Sequence, residues 1–223
     1  MALKSLTDKD LRNTARTEAV IMRIRDAIRQ GSLSPNDRLT ELGIAEQLGV
    51  SRTPVREAME RLIADGLLSQ VGPRGTTVTQ LNREQVLQLY SLREVLEGAA
   101  ASFAAQHASS VEMDAIMNLH DMMENPKHSP RTLAELNEDF HRAIYAAAHN
   151  EYLDHTACRM ADFLILLKGT TYSAPERPKQ AQIEHKTIIQ AIAKRDAESA
   201  EKASRKHIRE ASRVRLRMMF EGK

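Results

Sequence analysis

Between Glu41 and Gly66 two helix-periodic runs are joined by the tight turn Leu48-Gly49-Val50, and this constrains the local fold more than any other feature of the chain. Ile44 and Leu48 mark the inner face of the first run. In the second, Val55, Ala58, Met59, Leu62 and Ile63 recur at the i, i+3, i+4, i+7 spacing of a single buried stripe. Ser51 is placed to cap the second helix. Pro54 falls in its first turn, where the missing N–H costs little, and Gly66 ends it. With one face committed to a core, Arg52, Thr53, Arg56 and Arg61 must look elsewhere.

The flanking segments extend the pattern. Upstream, Val20, Ile24, Ala27 and Ile28 predict a helix over Thr14–Gln30, stopped by Gly31. Downstream, LLSQVGPRGTTVT places β-branched residues around a Gly-Pro-Arg-Gly turn and predicts a β-hairpin between Leu67 and Thr79. Helix, turn, helix and hairpin together make a winged helix-turn-helix over residues 1–80, whose second helix enters the DNA major groove by its amino-terminal end. Arg52 and Arg56, one turn apart, can each bond a guanine edge or a phosphate in two places. Ser51 and Thr53 add hydroxyls, and Gly72 and Gly75 permit a turn that carries Arg74 toward the minor groove or backbone. The alternative is a solvated helix face shared with Glu57 and Glu60. Bulk charge does not decide between them. The net charge is +2, with 12 Lys/Arg against 10 Asp/Glu in residues 1–80 and 20 against 20 in residues 81–223.

Aromatic content is 4% with no tryptophan, and the remaining chain is rich in good helix formers. From a boundary near Gln80–Arg83, residues 81–223 read as six helices: Arg83–His107, Ser110–Glu124, Pro130–Ala148, Glu151–Gly169, Pro175–Arg195 and Asp196–Phe220. The fold class is thus mainly α, a winged helix-turn-helix with a small hairpin followed by an all-helical six-helix bundle. No run spans a membrane, the charged amino terminus lacks the apolar core of a signal peptide, and a cytoplasmic location is expected. Cys158, the single cysteine, reads as a small core residue.

Histidine placement suggests a second site. His185 and His207 each lie 11 residues from Asp196, where the last two helices turn, so an antiparallel pair brings them to the same height. His141 follows Asn137 by four residues on one helix face. A helix bearing that pair completes a three-imidazole set with the Asn137 carbonyl as a fourth ligand. Neutral imidazoles suit zinc first, with nickel or another first-row divalent ion as alternatives. The other five histidines read as ordinary surface or core residues.

The run Arg38-Leu39-Thr40-Glu41, the stretch Ile44-Ala45 through Gln47-Leu48-Gly49-Val50-Ser51-Arg52-Thr53-Pro54-Val55-Arg56-Glu57-Ala58, and Leu62 with Asp65-Gly66-Leu67-Leu68 together resemble the GntR family of bacterial transcriptional regulators. The motifs LREVLEGAAASFAA, NEDFHRAIYAAAHNEYL and EHKTIIQAIAKRDAESA resemble the FCD ligand-binding domain of its FadR subfamily, and six helices resemble the VanR-type branch. The resemblance implies that Arg38, Arg52, Arg56 and the wing glycines face an operator. It also implies a metal on His141, His185 and His207 with an oxygen ligand at position 137, and Arg93 in the same cavity as an effector-binding residue. Members commonly carry Asp where this chain has Asn137. Three imidazoles and an amide bring no negative charge, so a divalent ion and Arg93 invite an anion, and the expected effector is a small carboxylate. Arg93 also reads as an exposed i,i+4 partner of Glu97.

The expected function is a homodimeric regulator, not an enzyme, that reads an inverted-repeat operator in double-stranded DNA; repression relieved by ligand is the sign the resemblance implies. The rivals are a sensor whose effector is the metal itself and a metal-dependent hydrolase with an accessory DNA-binding domain. Against the hydrolase stand the missing His-Glu-x-x-His element and the lack of a carboxylate at a general-base position.

Overall fold

The computed structural model describes residues 16–72 and 75–220. These fold as two compact units: one closes at Leu81 and takes in Asp162–Lys168, and the other comprises Asn82–Ala161 and the chain from Gly169 onward.

In the first unit the elements are α1 (Arg16–Arg29), β1 (Arg38–Leu39), α2 (Glu41–Leu48), α3 (Arg52–Ala64), β2 (Leu68–Val71) and β3 (Gly75–Val78). Thr40 caps α2 by accepting the Gly43 N–H, and Gly49 closes that helix at φ 68°, a backbone state disfavoured for residues with a Cβ. Val20, Ile24 and Ile28 of α1, Ile44 and Leu48 of α2, and Val55, Ala58 and Leu62 of α3 are buried in one core. Ile63, expected beside them, is half-buried at its edge.

The hairpin expected over Leu67–Thr79 is present as β2 and β3, paired antiparallel from Leu68 opposite Val78 to Val71 opposite Gly75. It belongs to a three-stranded sheet, ordered β1-β3-β2, because Arg38 and Leu39 pair with Thr77 and Thr76. A two-residue strand has no periodicity to read; its pairing with residues about forty positions away creates it.

The second unit contains α4 (Arg83–His107), α5 (Ser110–Met122), α6 (Pro130–Ala147), α7 (Glu151–Asp162), α8 (Arg177–Ala193) and α9 (Ala197–Phe220), with a 3₁₀ turn at Thr171–Ser173. Capping boxes start α4 (Asn82 with Gln85) and α5 (Ser109 with Glu112). Between α8 and α9 the chain reverses at Lys194-Arg195-Asp196. Arg195 takes φ 59°, its guanidinium bonds the Ala108 and Ala105 carbonyls near the end of α4, and the Asp196 carboxylate accepts the Ser199 N–H. Helices α4 and α9 pass so closely at Gly98 that a Cβ there would lie 2.8 Å from Arg205 Cγ. No helix among the described residues is long and apolar enough to cross a membrane.

One element differs from its sequence expectation. A helix expected over Glu151–Gly169 stops at Asp162 and gives way to a 3₁₀ turn at Phe163–Leu166. Leu166 is buried in the first unit's core, with Phe163 and Ile165 packed against it, and Arg25 pairs with Asp162 at 3.0 Å. Four consecutive apolar residues satisfy a buried turn as well as a buried helix, so periodicity could not separate the two.

Leu166→Ala should therefore weaken the first unit by about 2–5 kcal/mol, the usual cost of truncating a buried leucine. Hydrogen exchange of the full-length protein, read by mass spectrometry, should accelerate in α1–α3; unchanged protection there would contradict this placement.

Candidate nucleic-acid interface and metal centre

The outer face of α3 is cationic at its amino-terminal end. Pro54, Val55, Ala58, Met59 and Leu62 turn inward, while Ser51, Arg52, Thr53 and Arg56 are exposed. Ser51 occupies the N-cap position without a side-chain bond to the helix amides, so its hydroxyl is available to another partner. The Arg52 and Arg56 side chains are 67% and 61% exposed. Arg52 bonds Glu41 at 2.8 Å, and Arg56 approaches Glu60 at 3.9 Å. Exposed pairs of this kind are worth roughly 0–1 kcal/mol, so redirecting either guanidinium toward phosphate or guanine costs little.

The wing is shaped by two glycines. Gly72 takes φ 68°, and a Cβ on Gly75 would lie 2.5 Å from the Val71 carbonyl oxygen and 3.2 Å from Arg38 Nη2. Arg38, exposed on β1, thereby brings its guanidinium to the base of the wing. Arg74 lies outside the described residues.

In the second unit four helices converge on a polar cluster inside an apolar bundle. His141 comes from α6, His185 from α8 and His207 from α9, and all three are buried, at 3%, 0% and 2% exposure. One ring nitrogen from each lies within 4.8 Å of the others, a grouping that could hold a metal ion. Across the α8–α9 hairpin the Nε2 atoms of His185 and His207 are 3.4 Å apart, as their equal distance from the turn requires.

The hydrogen bonds fix which nitrogens face inward. Glu97 of α4 lies 2.6 Å from His141 Nδ1, and Glu184 of α8 lies 2.7 Å from His207 Nδ1. A carboxylate only accepts, so each Nδ1 donates, and in the neutral ring the lone pair is then on Nε2, which at His207 faces His185 Nε2. His141 Nε2 is buried with no hydrogen-bond partner, and His185 Nδ1 is in the same position. An orphaned buried lone pair among converging imidazoles fits a divalent cation: the donors are neutral nitrogens of the right softness, and two have carboxylate-backed tautomers.

Charge here is balanced pairwise, which corrects the expectation that Arg93 stands uncompensated. Arg93 is buried and donates Nε–H to Glu97 at 2.8 Å, so it is the i,i+4 partner of Glu97 but not an exposed one. Arg177, also buried, donates to Glu184 at 2.8 Å. Burial alone would raise the Glu97 carboxyl, but His141 and Arg93 beside it hold it well below the usual carboxylate range. His185 and His207 are pushed well below the ordinary histidine value, first by burial and then by neighbouring imidazoles, with Arg177 adding to the shift. Asn137 is half-buried, and its Oδ1 accepts the Tyr172 hydroxyl at 2.9 Å.

The family described as "Bacterial regulatory proteins, gntR family" matches residues 16–78, and the family described as "FCD domain" matches residues 88–210. The chain belongs to the GntR family. This GntR-family chain is 30% identical over 163 residues to the Nta operon transcriptional regulator of Aminobacter aminovorans, covering 73% of this chain and 77% of that one. It is 29% identical over 217 residues to the Glc operon transcriptional activator of Escherichia coli (strain K12), covering 86% and 85%. Among solved structures, E. coli McbR/YncC superposes with a TM-score of 0.81 at 22% identity over 93% of this chain and 99% of that one, a likeness of fold. The GntR-family protein is a DNA-binding transcriptional regulator with an FCD ligand-binding domain.

Glu97, Glu184, Arg177 and Tyr172 did not emerge as site residues from the sequence. Glu97 carried a faint signal, four residues after Arg93 on one helix. Glu184 stands next to His185 but serves His207, a partner that only the α8–α9 hairpin supplies.

The depressed histidines set a pH dependence for the metal-free protein. In the unfolded chain His185 and His207 take up protons near pH 6.5, whereas the folded protein resists protonating them. Below that pH the unfolded state binds more protons, so stability falls as pH drops, by at most about 1.4 kcal/mol per pH unit for each histidine. Denaturant titrations of the chelator-treated protein from pH 7.5 to 5.5 should show that slope, and His185→Gln should make it shallower; an equal slope in both proteins would contradict it.

Proposed function

We propose that this GntR-family protein is a homodimeric, ligand-responsive transcriptional regulator that acts in the cytoplasm. Its α3 helices read an inverted-repeat operator, and its FCD domain holds a divalent metal ion, zinc first, together with a small carboxylate effector. The observation that carries the reading is the buried set His141, His185 and His207, in which one imidazole presents an unpartnered Nε2 and two are backed by carboxylates.

The DNA half rests on the exposed tip of α3. Arg52 and Arg56 contact base edges or phosphates, Ser51 and Thr53 add hydroxyl contacts, and Arg38 and the wing bounded by Gly72 and Gly75 reach the flanking backbone or minor groove, Arg74 between those glycines in the sequence supplying a further cation. A two-fold dimer presents two such tips, matching a palindromic site.

The effector half rests on charge. Arg93 with Glu97 and Arg177 with Glu184 form two neutral pairs. A divalent ion on three neutral imidazoles would add two uncompensated positive charges in a buried setting, which an entering carboxylate offsets. Arg93 keeps its terminal nitrogens for that anion while its Nε holds Glu97. Asn137 supplies a carbonyl oxygen beside the ion, shared with Tyr172. The proposed sign of control is repression, relieved when the effector shifts the population of DNA-competent arrangements. A hydrolase is disfavoured by position: both buried glutamates stand behind ligating imidazoles, where neither serves as a general base for a water.

Arg52→Ala and Arg56→Ala should each weaken binding to the cognate operator by about 1–3 kcal/mol and relax sequence preference, while leaving circular dichroism unchanged. Operator titration by fluorescence anisotropy at fixed salt measures this, and undiminished binding by both variants would overturn the assignment of α3. Elemental analysis should find one metal ion per chain in the wild type and none in His185→Ala.

A further inference from the structure

The metal reading names the imidazoles but does not explain why they are already aimed at one another inside a bundle. We propose that Glu97 and Glu184 are positioning residues of the metal centre, each locking one ligating imidazole in the tautomer that turns its Nε2 lone pair inward. Each carboxylate is in turn held by a buried arginine. This inference rests on the metal reading above.

The same order of partners, arginine to glutamate to histidine Nδ1, occurs on two separate pairs of helices, through both oxygens of Glu97 but through a single oxygen of Glu184. Arg93 Nε lies 2.8 Å from one Glu97 oxygen, and the other Glu97 oxygen lies 2.6 Å from His141 Nδ1, linking α4 to α6. Arg177 Nη1 lies 2.8 Å from Glu184 Oε2, and that oxygen lies 2.7 Å from His207 Nδ1, linking α8 to α9; Arg177 Nη2, which can only donate, stands 3.4 Å from the same Nδ1, and the much shorter carboxylate contact is the one that requires the proton on Nδ1. All four Arg and Glu residues are buried, at 7% exposure or less. A carboxylate in such a place is costly unless paired, and a guanidinium supplies the pairing without competing for the imidazole lone pair.

His185 is built differently. No carboxylate backs it; its Nδ1 is buried without a partner, and its ring stacks on Phe140 at 4.3 Å and 28°. Packing and the 3.4 Å contact of its Nε2 with His207 Nε2 orient it. Two of the three ligands are thus set by carboxylates before an ion arrives, and the third by its aromatic and imidazole neighbours. Carboxylates hydrogen-bonded behind ligating imidazoles also raise their basicity, so removing one loosens the ion directly as well as through disorder. Arg93 acquires a duty independent of any effector, because it holds Glu97.

The test uses full-length protein stripped with a chelator and titrated with zinc against a chromophoric competitor. Glu97→Ala and Glu184→Ala should each lower zinc affinity by about 10–100-fold. Glu97→Gln and Glu184→Gln, whose carbonyls can still accept Nδ1–H, should lose less. Cobalt loading supplies a spectroscopic signature: the visible bands should shift in the Ala variants more than in the Gln variants. Folded Ala variants with wild-type zinc affinity would overturn the proposal. Should the Ala variants not fold, the wild-type protein still decides it: long-range nitrogen–proton spectra of the metal-free protein must show His141 and His207 protonated at Nδ1, and the opposite tautomer at either overturns it. A wild-type chain that takes up no zinc overturns the metal reading, leaving the tautomer measurement to judge the two glutamates alone.

Discussion

A carboxylate at 1% exposure is the constraint from which the second unit is best understood. Glu97 stays ionised there with Arg93, His141 and the Tyr145 hydroxyl beside it, partners that come from α4 and α6. Losing the arginine or the imidazole leaves the buried charge under-compensated, so the pairing ties the register of α4 to that of α6. The close pass at Gly98 and the bond from Ser204 Oγ to the Glu97 carbonyl hold α9 against that same turn of α4. His207 is carried to the cluster by the same packing. Much of the bundle's specificity is thus concentrated around one charged turn of helix.

The parts of the fold legible in the sequence are those set by local spacing. The apolar stripe of α3, the glycine that closes α2 and the equal arms from Asp196 to His185 and His207 all involve residues within a helix or across one tight turn, where periodicity converts directly to position. The illegible parts depend on distant partners. Strand β1 exists because Thr76 and Thr77 pair with it, and the break after Asp162 because the following apolar residues fill another core. Glu97 and Glu184 looked like ordinary acidic residues on helices rich in charge. Nothing along their own helices marks them as buried, since burial was decided by what the neighbouring helices bring.

Charge placement differs between the two sites in a way that suits their tasks. On α3 the arginines are exposed and loosely paired with acids, as Arg52 is with Glu41 and Arg61 with Glu18. Such pairs are screened by salt and readily exchanged, so polyanion and acid compete for the same guanidinium. With a net charge of +2 the chain has little bulk potential to hold it on arbitrary DNA. Affinity must come from a few well-placed contacts, which favours discrimination over indiscriminate binding.

In the buried cluster the same residue types form closed pairs that leave no charge to exchange. Three neutral imidazoles, two of them backed by neutral Arg–Glu pairs, would make a receptor whose first divalent guest introduces a net charge in a region that water does not reach. Such a receptor differs physically from one built with an aspartate at position 137, where half of that charge would already be cancelled. The amide of Asn137 instead bonds Tyr172 and stays neutral. Compensation then falls to whatever anion accompanies the ion, so the affinities for ion and anion become strongly coupled, and by linkage each strengthens the other by the same factor. Asn137→Asp would cancel one charge within the protein, tightening the ion while weakening its dependence on the anion. Coupling of this size requires the ligand atoms to be neutral, and burial, which pushes His185 and His207 well below the ordinary histidine value, favours that state for two of the three.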